Sequence, residues 1–179
     1  MITYVQPGNL LESIEAQGLD GIMNAANGRG PMGAGIAGAI RRMGGVEIEV
    51  DAYNVCNKYN PQRGDAYHTT AGRLGTKGIK NIIHAVTMKN PGEGSSYEVV
   101  ESAFRSAIGL ATKRGISKLG CTALGTGVGG LNQERVADIM FRVAEEEDIK
   151  VGSPNLEIVF IDFSEDFISR ILKNLSRMV

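Results

Sequence analysis

Two glycine-rich stretches carry most of the chemistry this sequence offers. The first, Gly28-Arg29-Gly30-Pro31-Met32-Gly33-Ala34-Gly35, follows Asn24-Ala25-Ala26-Asn27. The second, Gly125-Thr126-Gly127-Val128-Gly129-Gly130, follows the small apolar run Leu119–Leu124. Glycine lets the main chain approach a ligand closely and reach positive φ. Where such a loop opens a helix, the first N–H groups have no intrahelical acceptor and form an anion site. Two such loops can wrap a diphosphate from two sides without any lysine. Neither stretch ends in Gly-Lys-Ser/Thr, which argues against a P-loop. A dinucleotide fold would place an acidic residue ~20 residues past its loop, ending a second strand. Glu47, Glu49 and Asp51 fall instead in a stretch of helical character. Each loop taken singly reads equally well as a tight strand–helix turn; the pair points to phosphate. Amides such as Asn24 and Asn27 can bond a main-chain turn or a sugar hydroxyl. Asn24 is read as an Asx-type turn residue, and Asn27, nearer the loop, as a ligand contact.

The elements that must position these loops alternate along the chain. Strands are expected at Ile2–Gln6, Leu19–Asn24, Asp65–Ala71, Ile79–Val86, Lys118–Leu124 and Leu156–Phe163. Helices are expected at Leu10–Ala16, at Ile36–Met43 with Gly44-Gly45 closing it, and over Glu47–Asn57. Ser95 or Ser96 caps a further helix with Val99, Val100, Ala103, Phe104, Ala107, Ile108 and Ala111 inward. Asn132 and Ser164 cap two more, the last with Phe167, Ile168, Ile171, Leu172 and Leu175 inward. Such alternation implies an α/β fold with a sheet covered on both faces. Ligands of open sheets of this kind bind beyond the carboxyl ends of the strands, where both glycine stretches fall.

Composition narrows the function. The 179 residues carry 19 Lys+Arg and 20 Asp+Glu, a net charge of −1. That balance argues against binding nucleic acid through bulk charge. The 24 glycines are about double the usual share of ~7%. No apolar run reaches a membrane span, and the N-terminus reads as no signal peptide. Cys56 and Cys121 form no CxxC pair, which suggests a reducing, cytoplasmic compartment. With His68 and His84 they have no metal-ligand spacing, so neither a metal site nor a cofactor is expected. His84, in an apolar run, reads as a core histidine. Arg41, Arg42 and the acidic run Glu145-Glu146-Glu147-Asp148 read as solvated faces.

The residues resemble the macro domain family. The resemblance rests on Gly21-Ile22-Met23-Asn24-Ala25-Ala26-Asn27, Met32-Gly33-Ala34-Gly35-Ile36-Ala37-Gly38-Ala39-Ile40, Gly64–Thr70, Ile82-Ile83-His84 and Ala123-Leu124-Gly125-Thr126-Gly127-Val128-Gly129-Gly130-Leu131. Order and spacing fit along nearly the whole chain, so residues 1–179 are expected to form a single macro domain. The resemblance implies a three-layer α/β/α sandwich with a central mixed β-sheet. It also implies a cleft for ADP-ribose, free or as part of an ADP-ribosylated protein or nucleic acid. Gly33, Ala34, Gly35, Ile36 and Ala37 of the first loop, and Gly125, Thr126, Gly127, Val128 and Gly129 of the second, would line the diphosphate. Asn27 would reach the distal ribose, Leu10 would offer its N–H to adenine, and Phe163, ahead of Phe160, would stack on the base.

Departures from the family pattern bear on catalysis. Asn9 stands where many members carry an Asp that binds the adenine amino group; its carbonyl accepts that bond without charge. Acids that mark two hydrolase branches are replaced by Ala37 and Gly129. Three readings stay open. One is a hydrolase of ADP-ribosyl linkages or ADP-ribose derivatives, with Asn27 orienting a water that the ligand's phosphate activates. Another is a non-catalytic ADP-ribose reader. A third keeps the fold and changes the ligand to another nucleotide or an RNA end.

Overall fold

The computed structural model describes residues 1–151 and 156–178. Six strands form one sheet: β1 (Ile2–Pro7), β2 (Gly21–Asn27), β3 (Ala66–Thr69), β4 (Asn81–Met88), β5 (Lys118–Cys121) and β6 (Glu157–Asp162). Their order is β1-β6-β5-β2-β4-β3. Every neighbouring pair is parallel except β3 with β4, so the sheet is mixed. The helices are α1 (Ile14–Gln17), α2 (Gly35–Gly44), α3 (Val46–Tyr59), α4 (Tyr97–Lys113), α5 (Gln133–Val151) and α6 (Glu165–Ser176).

Strand alternation divides the core in two. Met23, Ile83 and Ala85 face Val100, Phe104, Val136, Met140 and Phe167 of α4, α5 and α6. Ile22, Ile82 and Val86 face Leu11, Ile14, Ile40, Ile48 and Ala52, from the 3-10 turn Leu11–Ser13 and from α1, α2 and α3. The result is a three-layer α/β/α sandwich.

Caps set the helix starts. The Ser96 hydroxyl accepts from Val99 N at 3.3 Å, and that of Ser164 accepts from Phe167 N at 3.2 Å. Asn132 Oδ1 accepts from Arg135 N at 3.0 Å.

Several expected boundaries move. The first helix splits into the 3-10 turn and the short α1, because the Asn9 side chain bonds the turn's first N–H groups. β5 ends at Cys121, since Ala123 N leaves the ladder to donate to the Asp162 carboxylate at 2.9 Å. β3 covers only Ala66–Thr69, because Thr70 N turns away to Asp51. Leu172 is 46% exposed rather than inward.

Candidate functional site

The parallel neighbours β1, β6, β5 and β2 end at one edge of the sheet, with Pro7 in register with Asp162. The segments that leave these ends carry Asn9 and Leu10, Phe163, the second glycine loop and the first glycine loop. The fold therefore gathers all the expected site residues at one carboxyl edge, the position that suits a ligand in such sheets.

The first loop has a braced half and an open half. Asn27 Oδ1 accepts from Arg29 N at 2.9 Å and Gly30 N at 2.8 Å, and its Nδ2 donates to Pro31 O at 2.9 Å. The Asx turn expected at Asn24 is thus made by Asn27. Asn24 is instead buried inside β2, where its Nδ2 lies 3.0 Å from His84 Nδ1. Met32 N donates to Glu49 Oε2 at 2.7 Å and the Met32 side chain is buried. Beyond it the next main-chain hold is Ala34 O, which accepts from Gly38 N at 3.1 Å. Gly33, Ala34 and Gly35 are exposed, and Ala34 at the N-cap of α2 makes no side-chain cap. Gly35 takes φ +58°, a left-handed conformation that glycine adopts without strain. Among the described residues, the N–H groups of residues 33–37 donate to no acceptor.

The second loop is a compact arch. Leu131 N donates to Gly125 O, and Gly130 N to Gly127 O, both at 3.0 Å. Ser95 buttresses it from α4's approach: its N donates to Gly129 O at 3.4 Å and its hydroxyl to Thr87 O at 2.8 Å. Gly129 lies so close to Gly125 that any Cβ would collide with the Gly125 carbonyl. In this loop conformation neither an acid nor an aromatic fits at 129. Positions 33, 35 and 127 are the opposite case, with open space where a Cβ would stand. The N–H groups of residues 125–129 also have no acceptor among the described residues. Two rows of unpaired main-chain donors, one at a helix N-terminus, make a cradle for an anion.

The flanks suit a base. Phe163 is 77% exposed, directly after β6, and offers a free aromatic face. Phe160 is fully buried, edge-on to Phe167 at 5.7 Å. Leu10 is buried and its N–H is unpaired among the described residues. The Asn9 Oδ1 accepts from Leu11 N at 3.0 Å and Glu12 N at 3.4 Å, so its carbonyl already serves the local turn.

The nearby titratable groups are committed elsewhere. Asp162 accepts from Ala123 N at 2.9 Å and Ser164 N at 2.8 Å, fastening the second loop to β6. Glu49 holds Met32 N and pairs with Arg41 at 3.3 Å, so Arg41 is not a purely solvated cation. His84 is a core histidine: its Nε2 lies 2.9 Å from Thr69 Oγ1 and its ring stacks on Tyr67 at 4.6 Å. Burial pushes its pKa down to about 3, so it is neutral and occupied at both nitrogens. The arrangement offers an anion main-chain dipoles, and Asp162, Glu49 and His84 are not free to act on it as acid or base. Asp162, Glu49 and Ser95 are supports that sequence reasoning missed. Each acts on main-chain groups distant in sequence, which leaves no local pattern to find.

Residues 23–140 match the family model described as Macro domain. The chain belongs to the macro domain family. It is 39% identical over 158 residues to an uncharacterised protein of Aquifex aeolicus, covering 87% of this chain and 89% of that one. It is 30% identical over 150 residues to a protein of Salmonella gallinarum named O-acetyl-ADP-ribose deacetylase, covering 83% of this chain and 82% of that one. Its structure is similar to the macrodomain of Mycobacterium tuberculosis DarG, with a TM-score of 0.75 and 25% identity over 92% of this chain and 99% of that one. It is also similar to the Trypanosoma brucei macrodomain solved with ADP-ribose, with a TM-score of 0.69 and 26% identity over 88% of this chain and 63% of that one. No helix among the described residues of this macro domain is long and apolar enough to cross a membrane.

Proposed function

We propose that this macro domain, residues 1–179, binds ADP-ribose, free or as the terminal group of an ADP-ribosylated macromolecule. The observation that carries this reading is the pair of glycine loops, which follow neighbouring parallel strands at one sheet edge and whose N–H groups have no acceptor among the described residues. The diphosphate lies between residues 33–37 and 125–129, adenine between the Leu10 N–H and Phe163, and the distal ribose toward Asn27. Asn27 shapes this end through its three hydrogen bonds to the first loop. The two buried free thiols, Cys56 and Cys121, fit a cytoplasmic setting.

A hydrolytic reading is favoured by the relative named O-acetyl-ADP-ribose deacetylase. Asp162, Glu49 and His84 are engaged, so none of them supplies the gain of about 10²–10⁴-fold usual for a general base. Turnover here suits a labile ester, attacked by water under the ligand's own phosphate and yielding acid and ADP-ribose.

Calorimetric titration with ADP-ribose, ADP and AMP tests the binding. Micromolar affinity for ADP-ribose that exceeds the affinity for ADP supports the cleft and its distal end. Absence of binding by all three sinks it. Release of acetate from O-acetyl-ADP-ribose then separates hydrolase from reader.

A further inference from the structure

We propose that the outer edge of β3 is a docking groove for an extended peptide, the segment that carries an ADP-ribosyl group seated in the cleft. The identity of that peptide rests on the function proposed above. β3 is the last strand of the sheet, and among the described residues its outer edge has no neighbour. The antiparallel ladder begins with Val86 N donating to Asp65 O at 2.9 Å. Two-residue alternation then pairs Tyr67 with His84 and Thr69 with Ile82. It turns the N–H and C=O of Ala66 and His68 outward. The next outward donor, Thr70 N, bonds the Asp51 carboxylate at 2.7 Å. Asp51 thus stands where a further strand would place a carbonyl and closes one end of the open edge. Unpaired edges of this kind are templates for an added strand.

The surroundings select the occupant. The edge lies in a groove of about 720 Å³, walled by Val55 and Tyr59 of α3, by Leu110 of α4 and by Arg114 just after it. A second copy would bring its own β3 recessed between its own helices, so two such edges cannot meet. A single extended chain, needing ~4.8 Å of strand spacing, can enter. The groove carries both signs of charge, Asp51 and Asp65 against Arg114, which fits a peptide backbone better than a run of phosphates.

The groove also leads to the cleft. β3 runs antiparallel to β4, so its start lies at the sheet end where the glycine loops stand. Pro61 lines that end of the groove, and its carbonyl abuts Gly28 and accepts from Lys89 Nζ at 3.0 Å. Gly28 N in turn donates to Met88 O and Lys89 O, each at 3.0 Å. The groove mouth and the Asn27 end of the first loop share one wall. An acceptor leaving the distal ribose emerges onto it.

Calorimetry on the whole chain tests this with four probes. They are ADP-ribose, a ten-residue peptide with one ADP-ribosylated serine, the same peptide unmodified, and an ADP-ribosylated oligonucleotide. The modified peptide is expected to bind ~10-fold or more tightly than ADP-ribose, a gain that added strand hydrogen bonds can supply. His68→Pro removes an outward N–H at an edge that tolerates proline, and Leu110→Arg fills the groove from α4. Each should bring the modified peptide to the affinity of free ADP-ribose and leave ADP-ribose itself unchanged. If His68→Pro does not fold, Leu110→Arg carries the test. A modified peptide no tighter than ADP-ribose, a gain that survives Leu110→Arg, or a greater gain with the oligonucleotide overturns the groove while sparing the cleft. Failure of ADP-ribose to bind overturns the cleft, and the groove's occupant with it.

Discussion

The glycine rim and the face between α4 and α5 are opposites in how they handle charge. On that face Arg105 meets Glu101 at 3.4 Å, Glu146 at 2.6 Å and Glu147 at 2.8 Å, and Arg142 meets Glu101 at 2.7 Å and Glu146 at 3.3 Å. The Met1 ammonium pairs with Asp148 at 3.1 Å. The acidic run 145–148, expected to lie solvated, is therefore largely neutralised, and Glu147 is buried. The two glycine loops carry almost no formal charge, and among the described residues the N–H groups of 33–37 and 125–129 have no acceptor. A dense cluster of charges that satisfy one another has little left for a ligand. A nearly uncharged loop whose donors are unpaired has a strong reason to take up an anion.

Breaking the rim should give the largest effect. Gly127→Glu places a carboxylate against the diphosphate in space that is otherwise open. Loss of ADP-ribose affinity of roughly 100-fold or more is expected, about 2.7 kcal/mol, with an unchanged circular dichroism spectrum. Retained affinity in the folded variant removes the phosphate assignment.

Acid should act beneath the rim rather than on the charged face. Folded His84 holds its proton far more weakly, at about 3, than the ordinary value of 6.5. The unfolded state therefore takes up a proton as pH falls through 6.5, and stability present above that pH declines. The loss by pH 5 is about 2 kcal/mol, and His68, also lowered by burial and by Arg114, shifts it in the same direction. Glu101 and Glu146, held below the carboxylate range by hydrogen bonds from Arg142 and Arg105 respectively, stay ionised in that window. Urea unfolding at pH 7.5 and 5.0 measures the difference; equal stabilities would contradict it.

Arg105→Ala should cost about 2 kcal/mol, because it leaves buried Glu147 without its cation. Thermal unfolding reads this loss, and ADP-ribose affinity should not move; a coupled drop in affinity would join regions that the comparison separates. Phe163→Ala is expected to weaken ADP-ribose and AMP alike by ~10-fold, about 1.4 kcal/mol. Its 77% exposure predicts no change in melting temperature. An effect on melting with none on affinity would make Phe163 a structural residue.

Much of the fold could be read from local pattern. The inward spacing of Val100, Ala103, Phe104, Ala107, Ile108 and Ala111 defines α4, and Ser164 marks the start of α6. The errors cluster where a distant group captures the main chain. Asp162 ends β5 early by taking Ala123 N, and Asp51 ends β3 by taking Thr70 N. The Asx turn moves from Asn24 to Asn27 for a related reason. Asn24 is drawn into the sheet by His84, its register partner across β2 and β4, and no local signal marks a partner sixty positions away.

The residue order along the chain specifies where helices start, which faces are apolar, and that two glycine loops follow strands into helices. Those properties depend on neighbours within a few positions, through capping, periodicity and the freedom of glycine at φ. Chain folding alone settles that the two loops leave neighbouring strand ends at one sheet edge, that Gly129 admits no side chain, and that the acidic run finds Arg105 and Arg142. Each of those outcomes depends on groups brought close from distant positions, and distance in space is set by the packed sheet.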